Sequence, residues 1–258
     1  MAKSIVSSVA GTILHVELCD IVGKNSMSDM LFAELEQVLC EAQQDSAVRV
    51  VLLSGEGDVF SAGGDLRNFQ EGPFPEGYIR SAFARLLARL LNFEKPIVAA
   101  VHGAAIGGAS TLLLHCDFVL AASDTRFHLP FTQLGITPEF GSSYLLTLCG
   151  GYRMASELVL LAQPFDAEKA ARAGIVNQVV PKDRLMEVAL SYAERLAELP
   201  PRALRASKRL LKRAHHAALL STFDAEGKEL EVGFASAELQ ESIFAFFEKR
   251  KPDFSRFS

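Results

Sequence analysis

Tryptophan is absent, and the four thiols, Cys19, Cys40, Cys116 and Cys149, are scattered with no Cys-x-x-Cys pair among them. That spacing excludes a zinc-ribbon site and a disulfide frame, and reads as reduced cysteines in a cytoplasmic protein. Positive charge is not in excess. Lysine and arginine number 26 against 31 acidic residues, a net charge of −5, so nothing in the overall balance draws the chain to a nucleic acid. No apolar run approaches the length of a membrane span, and the first residues, MAKSIVSSV, lack the apolar core of a secretory leader. Neither membrane nor nucleic acid is expected as a partner. Histidine never falls at a ligand spacing such as His-Glu-x-x-His. His102, His115 and His128 each sit in an apolar segment and read as hydrogen-bonded core residues, so no metal is expected.

What is present describes one large core with an appendage, the natural solution for 258 residues. Apolar strand-like runs at 4–9, 12–18, 48–53, 97–101, 118–122 and 175–180 alternate with helical periodicity at about 28–45, 79–93, 142–148, 153–162 and 166–173. Only helices follow, at 183–199, 201–220, 224–233 and 236–249. Residues 69–77, rich in Gly and Pro, read as a mobile surface loop. The fold class is therefore α/β, with a core over 1–199 and a C-terminal helical module over 200–258.

Residues 95–117, KPIVAAVHGAAIGGASTLLLHCD, place a buried strand, a small-residue turn and an apolar helix in succession. The first N–H groups of a helix lack intrahelical partners, so such a turn can stabilise negative charge. The glycines match neither Gly-x-Gly-x-x-Gly nor Gly-x-Ser-x-Gly, and close strand–helix packing without chemistry remains open. A second small-residue turn, 60–66 (FSAGGDL), also follows a strand. Two such turns can aim two backbone N–H groups at one carbonyl oxygen, an oxyanion hole. Glu139 lies between Pro138 and Phe140 in an apolar, glycine-flanked stretch. Apolar neighbours disfavour its charged form and raise its pKa towards that of a general base. The other reading makes it a surface glutamate capping the helix that starts at Ser142 or Ser143. Lys208, Arg209, Lys212 and Arg213 form a basic helix face, either solvated or set against a phosphate.

Several stretches resemble the crotonase (enoyl-CoA hydratase/isomerase) superfamily across nearly the whole chain. They are FSAGGDL at 60–66, PIVAAVHG at 96–103 with Ile106-Gly107-Gly108 and Cys116-Asp117, residues 167–180, and FFEKRKP at 246–252. The resemblance implies a spiral of ββα turns, a C-terminal helical module used for assembly into a homotrimer or a dimer of trimers, and an acyl-CoA thioester as ligand. It needs no cofactor beyond the CoA of the substrate. By motif position the oxyanion donors would be the N–H groups of Gly64 and Gly108. Lys24, Ala62, Asp65 and Leu66 would meet CoA, with Lys249 and Lys251 as further candidates for its phosphates. Enoyl-CoA hydratases carry two glutamates where this chain has Thr111 and Phe131. Residues 127–143, FHLPFTQLGITPEFGSS, instead resemble the peroxisomal type of Δ3,Δ2-enoyl-CoA isomerase, with its single glutamate at the place of Glu139. Phe140 departs from those isomerases that have a small residue there. With Phe131 and Leu134 it would line the substrate pocket. The reaction so implied shifts a 3-enoyl-CoA to a trans-2-enoyl-CoA in fatty-acid β-oxidation. A hydratase, a thioester hydrolase and a non-catalytic acyl-CoA binder stand as alternatives.

Overall fold

The computed structural model describes residues 4–69 and 77–257. In chain order, β1 (Ile5–Ala10), β2 (Ile13–Leu18), α1 (Asp29–Gln44), β3 (Val50–Gly55) and α2 (Leu66–Phe69) make the first third. The middle holds α3 (Ala82–Asn92), β4 (Ile97–Val101), β5 (Ala104–Ile106), α4 (Gly108–Leu112), β6 (Phe118–Ala122), β7 (Arg126–His128) and α5 (Phe131–Leu134). Then come α6 (Ser142–Gly150), α7 (Tyr152–Leu160), β8 (Phe165–Asp166), α8 (Ala167–Arg172), β9 (Gln178–Val180) and α9 (Leu185–Glu198). The chain finishes with α10 (Pro201–Arg213), α11 (His216–Phe234) and α12 (Ala237–Phe247).

The main sheet runs β1-β2-β3-β4-β6-β9, with β5-β7-β8 as a smaller second sheet. Only the β1–β2 hairpin is antiparallel in the main sheet; the other pairs are parallel. Alternate residues of each central strand enter different cores, because successive side chains point to opposite faces. Val51, Leu53, Ile97 and Ala99 join Leu31, Leu35 and Leu39 of α1 and Leu86 and Leu90 of α3. Val50, Leu52, Val98 and Ala100 meet Leu185, Ala189 and Ala193 of α9 on the other side. Burial on both faces makes 97–101 read as one apolar run without alternation.

Three local expectations change. Most of the loop expected at 69–77 lies outside the described residues, but Phe69 ends α2 and packs edge-on against Phe234, ring centroids 5.0 Å apart. The strand expected from Ile175 starts only at Gln178, since the Ile175 and Val176 N–H groups both turn back to the Ala170 carbonyl. The helix expected over 201–220 stops at Arg213, and α11 runs unbroken from His216 to Phe234. Its buried stripe is Leu219, Phe223, Glu226, Gly227, Leu230 and Gly233. A charged residue and two glycines inside that stripe obscured the periodicity.

The C-terminal helices lie against the core. Lys208 of α10 is buried and reaches Asp117 Oδ2 at 2.6 Å and the Lys95 carbonyl at 2.7 Å, while Asp117 also accepts from the Ile97 N–H. The half-buried Lys212 donates to the Leu90 carbonyl, and burial lowers its pKa to about 8. The basic helix face is therefore partly an anchor. Among the described residues no helix is long and apolar enough to cross a membrane.

Candidate active site

The two glycine turns meet. Ser61 forms a parallel bridge with Ala105, its N–H donating to the Ala104 carbonyl and its carbonyl accepting from the Ile106 N–H. Gly64 and Gly108 lie equally far past that bridge along the two chains. Gly107 has φ +54, a conformation costly for a side chain, and its N–H bonds the His128 carbonyl. The Gly63 N–H is taken by Ser61 Oγ. Among the described residues, by contrast, neither the Gly64 nor the Gly108 N–H enters an internal hydrogen bond. Two free donors at neighbouring chain turns are what an oxyanion requires.

Glu139 comes to the same place from the turn before α6. A Cβ added at Gly108 would lie 2.6 Å from Glu139 Oε1 and 3.6 Å from the Phe140 ring, so the absence of a side chain there leaves room for the carboxyl. Burial first, and the nearby Glu226 second, push the Glu139 pKa up to about 8. Glu139 does not cap α6; its carbonyl accepts from the Ser142 N–H, and no described side chain bonds its carboxyl. The capping acid is Glu226 of α11. Its Oε2 accepts from the Gly141 N–H at 2.7 Å, and its Oε1 from the Ser143 N–H at 2.9 Å and the Ser143 hydroxyl at 2.6 Å. Burial pushes Glu226 upward too, but its three donors oppose that. Glu139, with none, is the carboxyl that keeps its proton to higher pH.

Phe140, next to Glu139, holds a left-handed φ of +59, uncommon for a bulky residue. Its carbonyl accepts from His115 Nε2 at 2.7 Å, and its buried ring packs edge-on against Phe83 at 4.7 Å and Phe32 at 6.2 Å. Burial lowers the His115 pKa to about 4, so the ring stays neutral. His128 likewise donates to the Ala162 carbonyl and His102 to that of Gly57.

The remaining site candidates fall as follows. Lys24 is exposed, and its carbonyl accepts from the Ala62 N–H, which places it beside the first turn. Asp65 binds Arg67 through its side chain, which holds its pKa down, and leads into Leu66 at the start of α2. Phe131 is buried and Leu134 packs on the same core as Phe140. Lys249 and Lys251 lie exposed beyond α12, with no described contact to either turn. Thr111 Oγ1 bonds back to the carbonyls of Gly107 and Gly108. Among the described residues no group of three or more His, Cys, Asp or Glu side chains could hold a metal ion.

Two residues escaped the sequence reading. Asn25 donates to the carbonyls of Glu56, Val59 and Phe60 while its own carbonyl accepts from Ser61 Oγ, locking the first turn. Its left-handed φ of +56 is one that Asn tolerates, a weak signal only. Glu226 lies far along the chain in an amphipathic helix, where a glutamate ordinarily marks the solvent side.

An α/β sheet that ends in two adjacent glycine turns with free N–H groups, beside the half-buried carboxyl of Glu139, defines a scaffold suited to a polarised carbonyl. Residues 9–256 match the family described as Enoyl-CoA hydratase/isomerase, and the chain belongs to that family. Among its relatives, 2,3-dehydroadipyl-CoA hydratase of Escherichia coli (strain K12) is 35% identical over 231 residues, 90% of each chain. The 1,2-epoxyphenylacetyl-CoA isomerase of the same organism is 33% identical over 260 residues, 99% of each. The crystal structure of an enoyl-CoA hydratase/isomerase from Pseudoalteromonas atlantica T6c superposes with a TM-score of 0.91 at 38% identity, covering 98% of this chain and 100% of that one. The crotonase-like α/β fold and an acyl-CoA enzyme class follow; the reaction does not, because related members carry different names.

Proposed function

We propose that this protein moves the double bond of a 3-enoyl-CoA to give trans-2-enoyl-CoA, as a step in fatty-acid β-oxidation. The observation that carries the reading is the half-buried Glu139 carboxyl, set against Gly108 and bonded by no described group, while the places of the two hydratase glutamates hold Thr111 and Phe131. The thioester oxygen takes the N–H groups of Gly64 and Gly108. The Glu139 carboxylate removes a proton from C2, and the electron pair delocalises into a dienolate whose charge rests on that oxygen. The same carboxyl returns the proton at C4, leaving the double bond between C2 and C3. A base of raised pKa suits a weak carbon acid, and a water-poor environment strengthens both donors. Lys24, Ala62, Asp65 and Leu66, around the first turn, are assigned to CoA, and Phe131, Leu134 and Phe140 to the acyl side. The C-terminal helices are assigned to assembly as a trimer or a dimer of trimers, and the protein is placed in the cytoplasm.

Hydration is the second reading, favoured by the names of several relatives. Purified protein given a 3-enoyl-CoA and, separately, a trans-2-enoyl-CoA separates the two by product analysis. Isomerisation of the first without hydration of the second, lost in Glu139→Gln with acyl-CoA binding retained, is expected. Hydration of the second, or turnover surviving in Glu139→Gln, would overturn the isomerase.

A further inference from the structure

We propose that Glu226 is a positioning residue for this site: from α11 it grips the turn at 141–143 and so holds the Glu139 carboxyl against Gly108. This rests on the reading of Glu139 as the base. Both Glu226 oxygens are engaged, by the Gly141 N–H and by the N–H and hydroxyl of Ser143, and only 6% of the residue is exposed. A buried glutamate is costly unless it accepts several hydrogen bonds, and every partner of this one lies just past Glu139. The strained Phe140 joins Glu139 to the gripped Gly141 along the chain, and its carbonyl accepts from His115. Relaxation of that turn would swing Glu139 away from Gly108, so the grip bears on the reacting group rather than on the fold as a whole.

Glu226 has a second consequence. Its charge opposes ionisation of Glu139, which makes the base stronger once it is ionised. Among the described residues, titratable groups near the pair include Tyr78, whose hydroxyl is pushed upward by burial and then by the charges of Glu226, Glu139 and Asp224, Asp224 itself, and His115, held neutral behind Phe140. In Glu226→Gln the amide can accept one of the two N–H groups but presents its own N–H to the other. Glu226→Asp keeps the charge with a shorter reach.

Both variants are purified alongside Glu139→Gln and Ser143→Ala and checked for fold by circular dichroism. The kcat and KM for a 3-enoyl-CoA are measured, together with the titration midpoint of the Glu139 carboxyl carbon by NMR. The spectrum of Glu139→Gln identifies the signal. Glu226→Gln should lower kcat by on the order of tenfold or more with KM held within about twofold, and move the Glu139 midpoint down, with Glu226→Asp recovering part of the rate. Wild-type kcat or an unmoved midpoint in folded Glu226→Gln overturns the proposal. If that variant does not fold, Ser143→Ala carries the test. A reduced kcat at unchanged KM supports the grip, and wild-type kcat overturns it. Failure of the base reading is a separate result: turnover persists in Glu139→Gln, and both assignments fall. If wild type does not isomerise the substrate at all, the base reading falls and the positioning role falls with it, whatever the midpoint does, since loss of the Glu226 charge moves it without any change in the turn.

Discussion

A carboxyl that keeps its proton to about pH 8 leaves a mark on both rate and stability. The proposed base at Glu139 can act only when ionised, so kcat/KM should climb with pH and level off above about 8, read from a steady-state pH profile. For stability the sign runs the other way. Between the ordinary glutamate value of 4.5 and about 8, the unfolded chain has released this proton while the folded chain holds it, so folding stability falls as pH rises through that window. Glu139→Gln removes the group and should therefore melt at the same temperature as wild type near pH 4 and at a higher one above pH 8. A gap that fails to open with pH would show that Glu139 is not desolvated. His115 contributes in the opposite direction: its folded pKa of about 4 lies below the usual 6.5, so the stability it supplies is lost as pH falls through that interval.

At the scale of elements, a short helix and a short turn carry the site. α4 spans only Gly108–Leu112, and what matters is its first residue, whose N–H stays free and whose missing side chain makes room for Glu139. Gly108 does not need a left-handed backbone. Gly108→Ala should therefore fold normally and fail through collision of its Cβ with Oε1. The expected loss is roughly a hundredfold in kcat, comparable with the removal of one oxyanion donor. Circular dichroism and kcat together check this; a folded Gly108→Ala of normal rate would move the carboxyl elsewhere. The strained turn at Phe140 is the complementary element, fixed by His115 from the segment just past α4 and by Glu226 from α11. The segment just past α4 and the turn that carries Glu139 thus share a hydrogen bond behind the candidate site.

Across the molecule, the C-terminal helices are tied to the sheet on one side and leave apolar groups exposed on another. Lys208 of α10 ties them to the sheet through Asp117, which in turn receives the Ile97 N–H at the start of β4. Lys208→Ala strands a partly buried carboxylate and should cost about 3–5 kcal/mol in urea unfolding. A loss below about 1 kcal/mol would reduce the pair to a surface contact. The same helices leave Leu210, Leu211, Phe244, Phe246 and Phe247 exposed, and α7 is followed by exposed Leu161. Exposed apolar groups concentrated on the C-terminal helices support the proposed assembly. Sedimentation equilibrium should give three times the 28.0 kDa chain mass or a multiple of that, and a stable 28.0 kDa particle would refute it.

The six strands of the main sheet and most helices were legible from residues alone, since buried apolar runs and amphipathic periodicity are local patterns that burial then enforces; β5, β7 and β8, two or three residues each, were too short to leave such a pattern. The two glycine turns were legible as turns, and the resemblance to crotonases marked Gly64, Gly108 and Glu139 before any distance was known. What lay beyond the sequence was every relation between segments distant in the chain. The Ser61–Ala105 bridge that sets the turns side by side is one such relation. Others are Glu226 reaching 85 residues back to Gly141, Lys208 reaching Asp117, and His115 bonding a strained Phe140. A buried charge looks the same in sequence as a solvated one. Only the tertiary structure decides which it is, because the hydrogen-bond donors that make burial tolerable come from elsewhere in the chain.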